Sequence, residues 1–302
     1  MPSVEPSIDF VILGAQKAAT SALQGALRAA PEIAMPAGES AFFEDPDFGR
    51  APWLGFAQAH RGAQLRGIKR PDYLCSDEAI ARISAVLPQA RFIAVLREPV
   101  SRAVSSYLYL VRHGHLPVHG LDEGILRSIE AWRAGRGDRA ASVISYGLYG
   151  QYIARWFEHY PRERFLFLPQ TLVSKDPQAA LAACRRHLGL AQEGQSLAAQ
   201  PIERANEGLY DIGLLPYARL ASLVKTRPIA GTYRREPRVL PVRALGAVMS
   251  RAVEGLARWR GQERPRLSAQ TEAVLREIYA RDCETLRGLV APEVIYWESA
   301  RA

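Results

Sequence analysis

One lysine, Lys17, stands in a run of small residues between an apolar stretch and a pair of hydroxyls, in Phe10-Val-Ile-Leu-Gly-Ala-Gln-Lys-Ala-Ala-Thr-Ser-Ala-Leu23. An apolar strand that enters a small-residue turn and then a helix opened by Thr20-Ser21 is a device for holding an anion. The first backbone N–H groups of the helix, the positive end of its dipole and the lysine ammonium all point at one phosphate-like group. An ordinary nucleoside triphosphate loop has a second glycine and then lysine directly before the Ser/Thr. Here Lys17 precedes Thr20 by three residues and the second glycine is missing, which disfavours ATP or GTP. Arg91-Phe-Ile-Ala-Val-Leu-Arg-Glu-Pro-Val-Ser-Arg-Ala-Val-Ser-Ser-Tyr107 repeats the plan: a strand over 92–96, Arg97 at its C-terminal end, Pro99 opening a helix and Ser105 two turns in. Ligands of an open parallel sheet sit at the C-terminal ends of its strands, so Arg97 and Ser105 would grip a second anion in the same crevice. Two grips suit a ligand with two separated anionic groups.

These residues resemble the sulfotransferases that use 3′-phosphoadenosine 5′-phosphosulfate (PAPS), especially their heparan-sulfate and bacterial soluble branch. Gln16-Lys-Ala-Ala-Thr-Ser21 is similar to that family's 5′-phosphosulfate loop, and Leu96-Arg-Glu-Pro-Val-Ser-Arg-Ala-Val-Ser-Ser-Tyr107 to its 3′-phosphate motif. Glu39-Ser-Ala-Phe-Phe43 resembles the segment with a catalytic glutamate before two aromatics, and Ile68-Lys-Arg-Pro-Asp-Tyr-Leu74 the family's Lys-x-Pro-x-Tyr segment. Gly147 to Phe157, with Tyr149 near its start, then Arg164-Phe-Leu-Phe-Leu168 and a helix ending at Leu188-Gly-Leu190, follow in the family's order. Three positions depart from the pattern. Ala19 stands where glycine is frequent, Ala41 where a histidine is, and Arg70 where a small hydroxyl residue is. The family's late basic loop has a loose counterpart in Arg260-Gly-Gln-Glu-Arg-Pro265.

The resemblance implies an α/β fold, a P-loop-like parallel sheet flanked by helices with a helical C-terminal cap, and a sulfuryl donor in place of a metal-bound nucleotide. Gln16, Lys17, Ala18, Ala19, Thr20, Ser21, Arg97, Ser105, Tyr149, Arg260 and Arg264 would hold the donor. Glu39, Lys17 and Lys69 would carry the catalysis. Charge builds on the bridging phosphate oxygen during in-line displacement, so Lys17, the loop amides and a Thr20 or Ser21 hydroxyl would stabilise the leaving group. Glu39 would take the acceptor's proton, and Phe42 and Phe43 would desolvate it. Lys69 has two readings, contact with the acceptor or sulfuryl group, or support of Glu39. The other reading of Glu39 is a solvated loop carboxylate.

His113-Gly-His-Leu-Pro-Val-His119 lacks the cysteine or carboxylate pattern of a metal site. His113 and His115, with Phe42 and Phe43, are read as acceptor contacts and no metal is expected. The acceptor would be a hydroxyl on a carbohydrate or glycosylated metabolite. A natural-product sulfotransferase using the same residues is the nearer alternative, and a nucleotide- or polyanion-binding protein without turnover the more distant one.

The elements that must position these groups follow from periodicity. Strand then helix reads over 8–30 and again over 91–110, a short strand over 64–68, helices over 76–87, 146–160, 177–188 and 271–289, and a strand over 164–168. That alternation describes one domain over 1–302 with a parallel sheet, and a less regular basic cap or insert over 191–265. The chain carries 39 Lys and Arg against 31 Asp and Glu. Between Lys225 and Arg266 there are 11 basic and 3 acidic residues, so the excess is concentrated there. Within that stretch Pro241 to Arg260 reads as an amphipathic helix whose competing uses are a lid over the donor, a docking surface for an acidic acceptor or membrane face, and a solvated outer helix. Basic charge without a recognition fold is weak evidence for nucleic acid. Cys75, Cys184 and Cys283 are few and far apart, as for free thiols. No apolar run reaches the ~18 residues of a membrane span. The chain opens on a strand rather than a signal peptide, so a cytoplasmic, bacterial-style soluble form is the expectation.

Overall fold

The computed structural model describes residues 7–190, 209–229, 234–261 and 263–297. Two compact units emerge. The first takes residues 1–98, 148–205 and 280–302, the second residues 99–147 and 206–279.

The first unit begins with β1 (Phe10–Gly14), α1 (Thr20–Arg28), β2 (Ile33–Ala34), α2 (Pro52–Ala59), β3 (Leu65–Lys69), α3 (Asp77–Val86) and β4 (Arg91–Leu96). The chain then enters the second unit for α4 (Pro99–Arg112), α5 (Leu121–Arg133) and α6 (Arg139–Ser145). It returns to the first for α7 (Tyr149–His159), β5 (Phe165–Pro169), α8 (Gln170–Lys175) and α9 (Pro177–Leu188). The second unit resumes with α10 (Leu215–Lys225), β6 (Thr226–Pro228), β7 (Arg235–Pro237) and α11 (Leu240–Arg260), and α12 (Ala269–Arg287) runs from it back into the first.

Five strands form one parallel sheet in the order β2-β3-β1-β4-β5. Every residue of β1 is buried, as is all of β4 except Arg91. Continuous apolar runs of this kind have no polar face to offer water, so helices must cover both sides of the sheet. Burying each large side chain of these strands stabilises by about 1.5–3 kcal/mol. Phe92 anchors one side, its ring 4.6–5.1 Å from those of Trp156, Tyr160 and Phe165. Two of the helices of this unit, α3 and α9, start at short polar side chains that cap them. The Ser76 hydroxyl accepts from Ala79 N–H at 3.1 Å for α3, and the Asp176 carboxylate accepts from Ala179 N–H at 3.0 Å for α9.

The second unit is tied by side chains bonding to distant backbone. Tyr107 Oη donates to the His119 carbonyl and accepts from the His119 N–H, at 3.0 and 3.1 Å, while Tyr279 Oη donates to the Ile144 carbonyl at 3.0 Å. Arg102, wholly buried, donates to the Val143 carbonyl.

The parallel α/β reading stands, and α9 matches its expected span end to end. Several stretches differ: α2, α5 and α8 form where no element was expected. The helix expected over 146–160 begins at Tyr149, because α6 is a separate helix capped by Asp138. The stretch read as a less regular cap or insert contains α10, whose Leu215, Ala218 and Ala221 are buried at a three-residue spacing, and the antiparallel pair β6–β7. Residues 191–208 of that stretch lie outside the described residues.

Candidate active site

Three adjacent strands, β3, β1 and β4, end at the same edge of the sheet and deliver three of the expected groups together. At the end of β1 the chain turns at Gly14, φ 148°, where a Cβ would come within 2.8 Å of the Pro71 carbonyl oxygen; only glycine fits. The turn that follows holds left-handed φ angles at Lys17 (67°) and Ala19 (68°). Left-handed residues spaced this way turn successive N–H groups toward one concavity, at a cost of about 1–2 kcal/mol for a side-chain-bearing residue. That cost is the reason glycine would suit position 19, where this chain has alanine. No side chain caps the N-terminus of α1, so the cradle around Ala18, Ala19, Thr20 and Ser21 meets the positive end of the helix directly.

From β4, Arg97 Nη1 donates to the Lys17 carbonyl at 2.9 Å, joining the two predicted anion grips through the backbone of the first. Tyr149 is buried, and its hydroxyl donates to the Arg97 carbonyl at 3.0 Å, so in this structure it braces Arg97. A residue missed at the sequence level supports that brace. Asp282, from the far end of α12, accepts from Gly150 N–H at 2.8 Å and Gln151 N–H at 2.9 Å, capping the helix that carries Tyr149. Burial pushes its carboxyl above the usual range even though both N–H bonds act the other way. The two partners are 132 residues apart in the chain, and no local pattern announces the pair.

From β3, Lys69 is 2 % exposed. Its Nζ donates to Ser21 Oγ at 2.8 Å and lies 3.3 Å from Glu39 Oε1. Burial lowers its pKa below the ordinary lysine value, and the Glu39 charge partly offsets this. Of its two sequence readings, support of Glu39 is the contact seen, and the same ammonium also reaches the first turn of α1.

Glu39 sits on the loop after β2 with its side chain 41 % exposed. The loop is pinned beside it: Ser40 N–H donates to the Lys69 carbonyl at 2.9 Å, Tyr73 Oη donates to the Ser40 carbonyl at 2.6 Å, and Gln24 Nε2 lies 2.9 Å from both the Pro36 and Gly38 carbonyls. Its strongest partner is Arg70, whose Nη1 donates to Oε2 at 2.7 Å. Arg70 also bonds Glu44 at 2.5 and 2.8 Å and lies 3.3 Å from Asp72. Burial alone would depress this guanidinium, but the carboxylates of Asp72, Glu44 and Glu39 outweigh it and raise its pKa. The departure at position 70 is thus the hub of a charge network. Gln16 joins it, its Nε2 3.4 Å from Asp72 Oδ1.

The two aromatics after Glu39 part company. Phe43 is wholly buried, stacked on Trp53 at 5.1 Å and edge-on to Tyr73 at 5.8 Å, while Phe42 is half-buried 6.2 Å from Phe56. Glu39 is held by two cations, and Phe43 faces the core.

The remaining expected residues belong to the second unit. Ser105 is buried on α4. The His113 ring packs on Tyr109 at 4.2 Å, and His119 Nδ1 lies 3.2 Å from Glu123. Among the described residues no group of three or more His, Cys, Asp or Glu gathers as a metal site. Arg260 lies 3.4 Å from Asp211, and the Arg264 guanidinium covers the Tyr210 ring at 5.4 Å. His115 lines a cavity of about 460 Å³ with His119, Arg139, Arg234 and Arg235. Its wall carries five arginines against one aspartate. Burial, with the nearby charges of Arg238 and Arg219, lowers the pKa of Arg235.

A model of the sulfotransferase family matches residues 39–194, more than half of the chain. The chain belongs to that family. It is 31% identical over 182 residues to human heparan sulfate glucosamine 3-O-sulfotransferase 3B1, covering 60% of this chain and 45% of the relative. It is 32% identical over 183 residues to mouse heparan sulfate glucosamine 3-O-sulfotransferase 6, covering 60% of this chain and 52% of the relative. The matched region therefore spans about half the length of these curated relatives. Among solved structures, a sulfotransferase from Alicyclobacillus acidocaldarius has the same fold, with a TM-score of 0.54 at 21% identity over 84% of this chain and 99% of that one. Family membership and fold agree with the sequence reading.

Proposed function

We propose that this chain transfers a sulfuryl group from PAPS to a hydroxyl of an acidic carbohydrate or glycosylated metabolite. The observation that carries the reading is the contact of Lys69 with both Ser21 and Glu39, which sets a carboxylate one side chain away from an anion cradle. The donor's 5′-phosphosulfate would lie against the 16–21 turn, and its 3′-phosphate against Arg97. The acceptor oxygen then forms a bond to sulfur as the bond from sulfur to the bridging phosphate oxygen breaks. The acceptor proton passes to Glu39, and the electron pair left on the phosphate is stabilised by Lys17, the turn amides and the Ser21 hydroxyl. Lys69 and Arg70 hold the carboxylate in orientation, and lysine and arginine supply the positive charge that this chemistry needs. The carbohydrate reading draws on the names of the relatives, heparan sulfate glucosamine sulfotransferases.

The test is incubation of the purified protein with labelled PAPS and a panel of N-sulfated oligosaccharides, neutral glycosides and simple phenols, read by mass spectrometry. Sulfation of the acidic oligosaccharides supports the reading. Sulfation confined to simple phenols would replace it with a natural-product enzyme. Donor binding without transfer to any acceptor would leave a nucleotide-binding protein, for which Glu39 and Lys69 have no use.

A further inference from the structure

The helix α11 has two apolar faces, and the fold uses one. On the inner face Gly246 lets α10 approach so closely that a Cβ would come within 2.7 Å of Lys225 N, and Ala257 is wholly buried. At 100° per residue, Leu245, Val248, Ala252, Leu256 and Trp259 fall within one sector of about 80° pointing elsewhere. That stripe faces solvent: Val248 is 61 % exposed and Trp259 83 %, and Leu240 at the head of the helix is 72 % exposed. A stripe of this size on a surface marks something it binds.

Charge says what. Arg251 and Arg258 run along one margin of the stripe, Arg243 lies further round on the same side, and all three are exposed. The one acidic residue of the helix, Glu254, is taken by Arg112. A second copy laid helix on helix would set these arginines against their own kind, whereas an anionic surface answers all of them. Apolar side chains and a terminal tryptophan edged with arginine are the pattern of a helix lying in the interfacial layer of a bilayer. It would lie flat: among the described residues no helix is long and apolar enough to cross a membrane.

We propose that the outer face of α11 docks this protein on anionic lipid bilayers, with Leu245, Val248, Leu256 and Trp259 entering the headgroup layer and the flanking arginines pairing with lipid phosphates. This contact is independent of sulfuryl transfer and would persist in a protein that transfers nothing.

Flotation of the intact protein with vesicles of phosphatidylglycerol and phosphatidylcholine, and with phosphatidylcholine alone, tests it. Binding to the anionic vesicles should be at least tenfold tighter and should weaken with salt. Trp259→Ser and Val248→Asp should each lower it about tenfold while keeping the melting temperature. Arg251→Gln with Arg258→Gln should flatten the salt dependence, and the vesicle-induced blue shift of tryptophan fluorescence should vanish in Trp259→Phe. Absence of binding to anionic vesicles, or unchanged binding by Trp259→Ser, overturns the proposal. So does a dimer by light scattering that Trp259→Ser dissolves, since the stripe would then belong to a second copy.

Discussion

Two basic regions of this molecule look alike in composition and differ in how their charge is held. At the strand ends, Lys69 and Arg70 are nearly sealed from water, and their contacts run to Ser21, Glu39, Glu44 and Asp72. On α11, Arg243, Arg251 and Arg258 stand in solvent beside an apolar stripe. Buried cations must be matched, because an unpaired one costs several kcal/mol, and matching fixes every partner in place. Exposed cations cost little and fix nothing. Rigid charge suits a reaction that needs atoms held to fractions of an ångström; loose charge suits a broad anionic surface.

The largest effect should come from the matched region. Glu39→Gln should keep donor affinity and lower kcat by about 10²–10⁴-fold, the usual worth of a general base; steady-state sulfation assays check it, and a variant of normal rate would move the base elsewhere. Asp282→Ala should cost about 1–3 kcal/mol by stranding two backbone N–H groups at the start of α7. It should also loosen nucleotide binding through Tyr149 and Arg97, which denaturant melts and calorimetry read separately. Ala19→Gly should stabilise by roughly 1 kcal/mol by relieving the left-handed turn; a loss of stability would mean the turn is not strained. Smallest of all, Arg251→Gln with Arg258→Gln should leave unfolding in denaturant within about 0.5 kcal/mol of the parent, as exposed side chains do. A larger loss would show that α11's charges are structural and erase the contrast.

What could be read from the sequence was what is local. The β1 turn, the β4 end and the span of α9 depend on neighbours within a few residues, and their residue types state them. The pairing of Lys69 with Glu39 was also within reach, since Lys69 ends a strand and the family resemblance placed both in one site. Arg70 was visible only as a departure; its part as the hub for three carboxylates depends on how the 39–44 loop crosses the end of β3. Phe43 was read toward the acceptor, yet the Trp53 and Tyr73 rings draw it into the core, a matter of packing that alternating side chains on a loop do not reveal. Asp282 reaches α7 from a helix at the other end of the chain. The outer stripe of α11 was present in the periodicity, but which of its apolar faces the fold would bury became clear only from the close approach at Gly246.

The central claim is that the edge formed by β1 and β4 holds a ligand with two separated anionic groups. Calorimetric titration with adenosine 3′,5′-bisphosphate, set beside ATP and 5′-AMP, measures that directly. Selective binding of the bisphosphate, weakened in Arg97→Ala, is the predicted result. Equal or tighter binding of ATP, or no binding of the bisphosphate, would contradict it.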